Sequence, residues 1–95
     1  MIEIFIPIED LCKRGFDDPR KAEYMAAAIR SMVGEQPTCL FFSGELRVHF
    51  TEEQFNRMKK WYGRKLRSNI THEIKRHCAI NGYRPILRKL TISKL

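Results

Sequence analysis

Long apolar runs are missing from this chain, since no segment approaches the roughly 18 consecutive apolar residues that a membrane-spanning helix needs. The opening MIEIFIPIED also lacks a basic stretch leading into an apolar one, so no secretory leader is read there. The expectation is a soluble, cytoplasmic chain with no membrane partner. Cysteine is scarce and odd in number. Cys12, Cys39 and Cys78 are scattered without CxxC spacing, which argues against a disulfide framework or a zinc module and for reduced core thiols. Internal repeats, low-complexity tracts and Pro/Gly/Ser-rich linkers are lacking as well, and 95 residues leave room for one compact unit. With 43 % hydrophobic and 31 % charged residues the composition is globular, so residues 1–95 read as a single α+β domain.

The other shortage is acid, and it is local. Residues 1–50 carry six Lys and Arg against eight Asp and Glu, a balance of −2, whereas residues 51–95 carry twelve against three, a balance of +9. An acidic-leaning half thus precedes a strongly basic one. Even complete pairing between the two leaves the net charge of +7 without an internal counterpart, which points to an anionic partner.

What is present has clear periodicity. Ile2, Ile4, Ile6 and Ile8 alternate with Glu3, Pro7 and Glu9, the period of a half-buried strand, with Phe5 interrupting the outer face and Pro7 suited to a sheet edge or a strand end. Asp18 is a good helix cap, Pro19 suits the first helical position, and Gly34 with Pro37 supplies the stop; Ala22, Met25, Ala26, Ile29, Met32 and Val33 share one face. TCLFFSGELRVHF reads as a hairpin turning at Ser43-Gly44, with Leu46, Val48 and Phe50 on one face and Arg47 and His49 on the other. Thr51 and Gln54 form a capping box that opens a second helix, and Phe50 can pack on Phe55 as a hydrophobic staple.

That helix carries its apolar stripe through Phe55, Met58, Tyr62, Leu66, Ile70, Ile74 and Cys78. Four-residue steps drift about 40° each against a 3.6-residue turn, so one straight helix from Thr51 to Ile80 would rotate its apolar face off the core. A break near Ser68-Asn69 is therefore expected, with Ile70, Ile74, His77 and Cys78 facing inward beyond it. Asn81-Gly82 and Pro85 end the helix, and ILRKLTISKL is expected to be a final strand. The order strand, helix, strand, strand, helix, strand corresponds to a βαββαβ, ferredoxin-like two-layer sandwich.

On an ideal helix Arg57, Lys60, Arg64 and Arg67 fall within about 80° of one another, opposite the apolar stripe. Lys59 and Lys65 flank that stripe, where their stems can cover apolar surface. An ordinary solvated helix offsets its bases with acids three or four residues away, yet Lys59, Lys60, Arg64, Lys65 and Arg67 have none at those spacings. Trp61 projects to the border of ladder and stripe, where it either stacks on a base or completes the core, the core being the favoured expectation. With Lys75, Arg76, Arg84, Arg88 and Lys89, these side chains are the candidate binding residues for nucleic acid, DNA or RNA, or for an acidic protein surface; Lys94 continues the basic tail. The usual RNA-recognition mode on a sheet face is disfavoured, because Glu45 and Arg47 stand where stacking aromatics belong.

Familiar catalytic patterns do not match. HEIKRH is not HExxH, since His72 and His77 are five apart, and neither a GxxxxGK[ST] loop nor a GxSxG elbow occurs. A metal shared by His49, Cys39 and Cys78 is not expected. The pairs Glu9-Asp10 and Asp17-Asp18 keep a metal-dependent nuclease in view only as a remote alternative. The sequence thus predicts a non-enzymatic nucleic-acid-binding accessory protein without cofactor. The rival is an inhibitor or adaptor, of phage or other mobile-element type, that docks on an acidic patch of a larger complex and offers Phe5, Phe41 and Trp61 as its apolar anchors.

Overall fold

The alternating isoleucines become strand β1 (Ile2–Pro7), with Ile2, Ile4 and Ile6 buried and Glu3, Phe5 and Pro7 half-buried on the opposite face. A computed structural model describes residues 1–8, 19–35, 37–42 and 44–95. Asp18 as a cap, the pairs Glu9-Asp10 and Asp17-Asp18, Cys12 and the turn residue Ser43 lie outside the described residues. After β1 come α1 (Pro19–Val33), β2 (Thr38–Phe42), β3 (Glu45–Phe50), α2 (Glu52–Tyr62), a 3-10 turn (Gly63–Lys65), α3 (Leu66–Ile80) and β4 (Thr91–Lys94).

The four strands form one antiparallel sheet in the order β2-β3-β1-β4. It follows that β1 and β2, joined through α1, point the same way with β3 between them, and that β3 and β4, joined through the second helical segment, do the same around β1. Register pairs Ile2 with Phe50, Ile4 with Val48 and Ile6 with Leu46, so the apolar side chains of both central strands stand on one face. A one-residue slip would turn the whole set into water. Met25, Ala28 and Ile29 of α1, Met58 of α2, and Leu66, Ile70, Ile74 and Cys78 of α3 close over that face. Each fully buried isoleucine or phenylalanine there contributes about 1.5–3 kcal/mol relative to leaving it in water. Pro7 ends a central strand and is not at a sheet edge; the edges are β2 and β4.

The second helical segment, 29 residues in all, is broken as the drift argument requires, though not at Ser68-Asn69. The break is at Gly63, whose φ of 58° and ψ of −133° lie in a region that only glycine enters readily. Ser68 and Asn69 do the opposite of breaking: the Ser68 hydroxyl (3.1 Å) and the Asn69 amide (2.8 Å) both donate to the Lys65 carbonyl and fasten the first turn of α3. Each half then sets its own axis. α3 packs chiefly on α1 and buries Leu66, Ile70, Ile74 and Cys78, with His77 half-buried at its margin. The start of α2 is as expected: the Gln54 amide donates to the Thr51 hydroxyl at 3.1 Å, the Thr51 amide donates to the Gln54 side chain at 2.9 Å, and Phe55 packs against the core that contains Phe50.

The last strand is shorter than the sequence suggests. Only Thr91–Lys94 pairs with β1, while Leu87 makes an isolated bridge to Ile8 and the Arg88 amide donates to the Pro7 carbonyl at 2.9 Å. Between these contacts the Leu90 carbonyl accepts from Arg67 at 3.2 Å, so it serves α3 and not the ladder, and Ile86 is 52 % exposed.

A Cβ added at Gly63 would meet no atom within 4 Å, so an alanine there is penalised by backbone conformation alone. Gly63→Ala is expected to lower unfolding stability by about 1–3 kcal/mol in urea titration. An unchanged midpoint would show that the break is imposed by packing and not by the glycine.

Candidate functional site

The residues around the helix break converge on a groove. Lys59 from the last turns of α2, Arg64 from the 3-10 turn and Arg67 from the first turn of α3 line a cavity of about 360 Å³ whose apolar side is Phe55, Leu66 and Ile92. Arg67 also lines an adjoining hollow of about 320 Å³, together with Ser68, Thr71, Arg88 and Lys89. Five basic side chains thus border two hollows that share Arg67. Its bond to the Leu90 carbonyl ties α3 to the tail and holds the two hollows in register.

The ladder expected along one helix face is not assembled as such, because the turn at Gly63 divides it. Arg57 pairs at 2.7 Å with Glu35, whose carboxyl is held below its ordinary range by hydrogen bonds from Gln54 and from the Arg57 guanidinium. The pair bridges the two halves of the sequence, but both partners are more than half exposed and the attraction is strongly screened. Lys60 and Lys65 are exposed outside the grooves. Trp61 does not complete the core: it is 83 % exposed. Phe41, in contrast, packs against the core and Phe5 is half-buried, so neither is the exposed anchor expected of it.

Farther along α3, Lys75 and Arg84 line a separate hollow of about 240 Å³ with Ala79 and Pro85. Arg76 pairs with Glu73 at 2.8 Å, and Lys94 with Glu52 at 3.1 Å. Lys59, set beside the apolar stripe by the helical projection, turns out to line the groove, and the neighbouring hydroxyls of Ser68 and Thr71 were not anticipated. The sequence signal for them was Gly63, a glycine inside a helical pattern.

The open face of the sheet is charged but internally compensated. Arg47 donates to Glu3 at 3.1 Å and to Glu45 at 3.2 Å, and it lies over the Phe5 ring at 4.7 Å. His49 Nε2 meets the other oxygen of Glu3 at 2.8 Å. This closed network occupies the positions where a stacking sheet would present aromatic rings. Where α1 meets α3, Ser31 Oγ of α1 and Glu73 and Arg76 of α3 all approach the same nitrogen of His77, Nε2, at 3.5, 3.7 and 3.5 Å, whereas a proton relay needs the acid on the opposite ring nitrogen. Among the described residues no three His, Cys, Asp or Glu side chains are placed to share a metal, and no helix is long and apolar enough to cross a membrane. Comparison with protein-family models, curated proteins and solved structures finds no match to this chain.

The Arg76 hydrogen bond holds the Glu73 carboxyl below its ordinary range, aided by the charges of Arg76, His77 and His72. A carboxyl with a depressed folded pKa stabilises the fold at neutral pH, and the contribution is lost as pH falls through that folded value. Arg76→Ala should therefore raise the Glu73 midpoint in a carboxyl NMR titration. The stability gap between wild type and variant, present at pH 7, should narrow as pH falls below the ordinary glutamate range and vanish once the folded carboxyl is itself protonated. A gap that persists into acid would assign Arg76 another role.

Proposed function

We infer that this chain is a non-enzymatic nucleic-acid-binding accessory domain that holds phosphates on the basic side chains around its helix break. The observation that carries the reading is the convergence of Lys59, Arg64 and Arg67 on one groove and of Arg67, Arg88 and Lys89 on the next. Lys59 and Arg64 form no ion pair with any carboxylate among the described residues, in contrast to the compensated open face of the sheet. Arginine supplies paired donors in the geometry of a phosphate, and the apolar groove wall suits the sugar between phosphates. Phosphate contacts of this kind set affinity and register and carry no base sequence, so DNA and RNA are both accommodated.

The fold belongs to the same reading. The strand order β2-β3-β1-β4, with each helical crossover returning the chain parallel to the strand it left, supports a ferredoxin-like arrangement. On this sheet the helix side and the tail do the binding, because the open face is occupied by the Arg47 network.

A second reading, docking of the chain as an inhibitor or adaptor on an acidic protein surface, draws on Ile80 and Ile86, 72 % and 52 % exposed, which neighbour in sequence the Lys75 and Arg84 hollow. It places the contact at the far end of α3, so the two readings separate by mutation.

With five phosphate contacts, log K should fall against log salt with a slope of about −3.5 to −4.5 in fluorescence anisotropy on a labelled oligonucleotide. The triple variant Lys59→Glu, Arg64→Glu, Lys89→Glu should retain its melting temperature within a few degrees and flatten that slope to about −2 or less. Undiminished binding by the variant would reject the groove as the site.

A further inference from the structure

Trp61 is the only tryptophan of the chain, and 83 % of its surface is exposed on the last turn of α2, two residues before the glycine break. Its surroundings restrict what can cover it. From Gln54 to His72 the sequence carries no carboxylate. Lys59, Lys60, Arg64 and Lys65, all within four positions of the indole, form no ion pair with a described carboxylate. Protein hot spots also favour Trp and Arg, but their rims are polar and interlock residue by residue with the partner. Here the rim is of one sign. An occupant that is uniformly anionic and also offers a flat π-face is an unpaired nucleotide. In a duplex each base shows only its edges, and an indole standing on a helix surface reaches a face only if the base is first taken out of the stack.

We propose that the site takes single-stranded nucleic acid, with one base stacked on the Trp61 indole and the flanking phosphates held by Arg64 and Lys65, three and four positions on. The inference rests on the basic-groove reading above and adds to it the strandedness of the ligand and the residue that senses it. Stacking accepts any base, which suits a surface whose remaining contacts go to the backbone. The helix break bears on the geometry, because Gly63 ends α2 two residues after Trp61 and the 3-10 turn that follows carries Arg64 and Lys65.

The test uses a fluorescein-labelled 15-nucleotide oligo(dT), the matching oligo(U) and a 15-base-pair duplex, with anisotropy reporting binding and intrinsic tryptophan emission reporting stacking. The expected result is quenching of Trp61 by either single strand at the concentrations where anisotropy rises, and weaker binding of the duplex without quenching. Trp61→Ala should weaken single-strand binding about 5- to 150-fold with the salt slope unchanged, and Trp61→Phe should recover much of the loss. Because the side chain is exposed, both variants are expected to fold as wild type. Binding with an intact salt slope, no quenching and no effect of Trp61→Ala would overturn the stacking inference and leave the groove reading in place. Duplex binding as tight as that of the single strands would overturn it also. No binding of any oligonucleotide at low salt would overturn both.

Discussion

Gly63 is the constraint on which the rest of the molecule turns. A helix of 29 residues whose apolar side chains recur every four positions cannot keep them on one side, and the structure meets this with Gly63 outside the helical region, opening a short 3-10 turn. The break lets α2 bury Met58 and lean Phe55 and Tyr62 on the core while α3 independently buries Leu66, Ile70, Ile74 and Cys78. The same kink brings Lys59, Arg64 and Arg67 to the mouth of one groove and leaves Trp61 outside it. Core, groove and exposed indole are three consequences of one backbone conformation.

The electrostatics divide the molecule in a way that total charge does not reveal. On the sheet face away from the helices Arg47 bridges Glu3 and Glu45, and His49 meets Glu3, within the span of two strands. At the helix surface Glu35 reaches Arg57 and Glu73 reaches Arg76, so these two candidate cations have acidic partners among the described residues. The bases that remain nearest the break have none among the described residues. Among the described residues compensation is therefore found on the sheet and the flanks of the helices and not at Lys59, Arg64 and Arg67.

Several features were legible from the residues alone because their causes are local. Alternation in β1 and β3 needs only the period of a strand, and the Thr51 and Gln54 box needs only four consecutive residues. The need for a break was also legible, as arithmetic on the helical repeat. Its place was not: Ser68 and Asn69 resemble a weak point in isolation, yet their side chains find the Lys65 carbonyl and reinforce the turn. The helical projection of the basic ladder failed for the same reason, since it assumed a straight axis through Gly63. The tail was over-read as a strand because nothing in ILRKLTISKL announces that the Leu90 carbonyl is claimed by Arg67, twenty-three residues earlier.

What the amino-acid sequence determined by itself was the inventory: one α+β chain, the faces of its strands, the start of its second helix, and a cationic half without enough acid to balance it. These follow from spacing and count. Tertiary structure decided which cations are partnered and which converge, where the long helix turns, and that Trp61 stands in water. Those outcomes depend on contacts between residues far apart in the chain, Arg57 with Glu35 and Arg67 with Leu90, and on a helix axis redirected at one glycine, none of which a local period encodes.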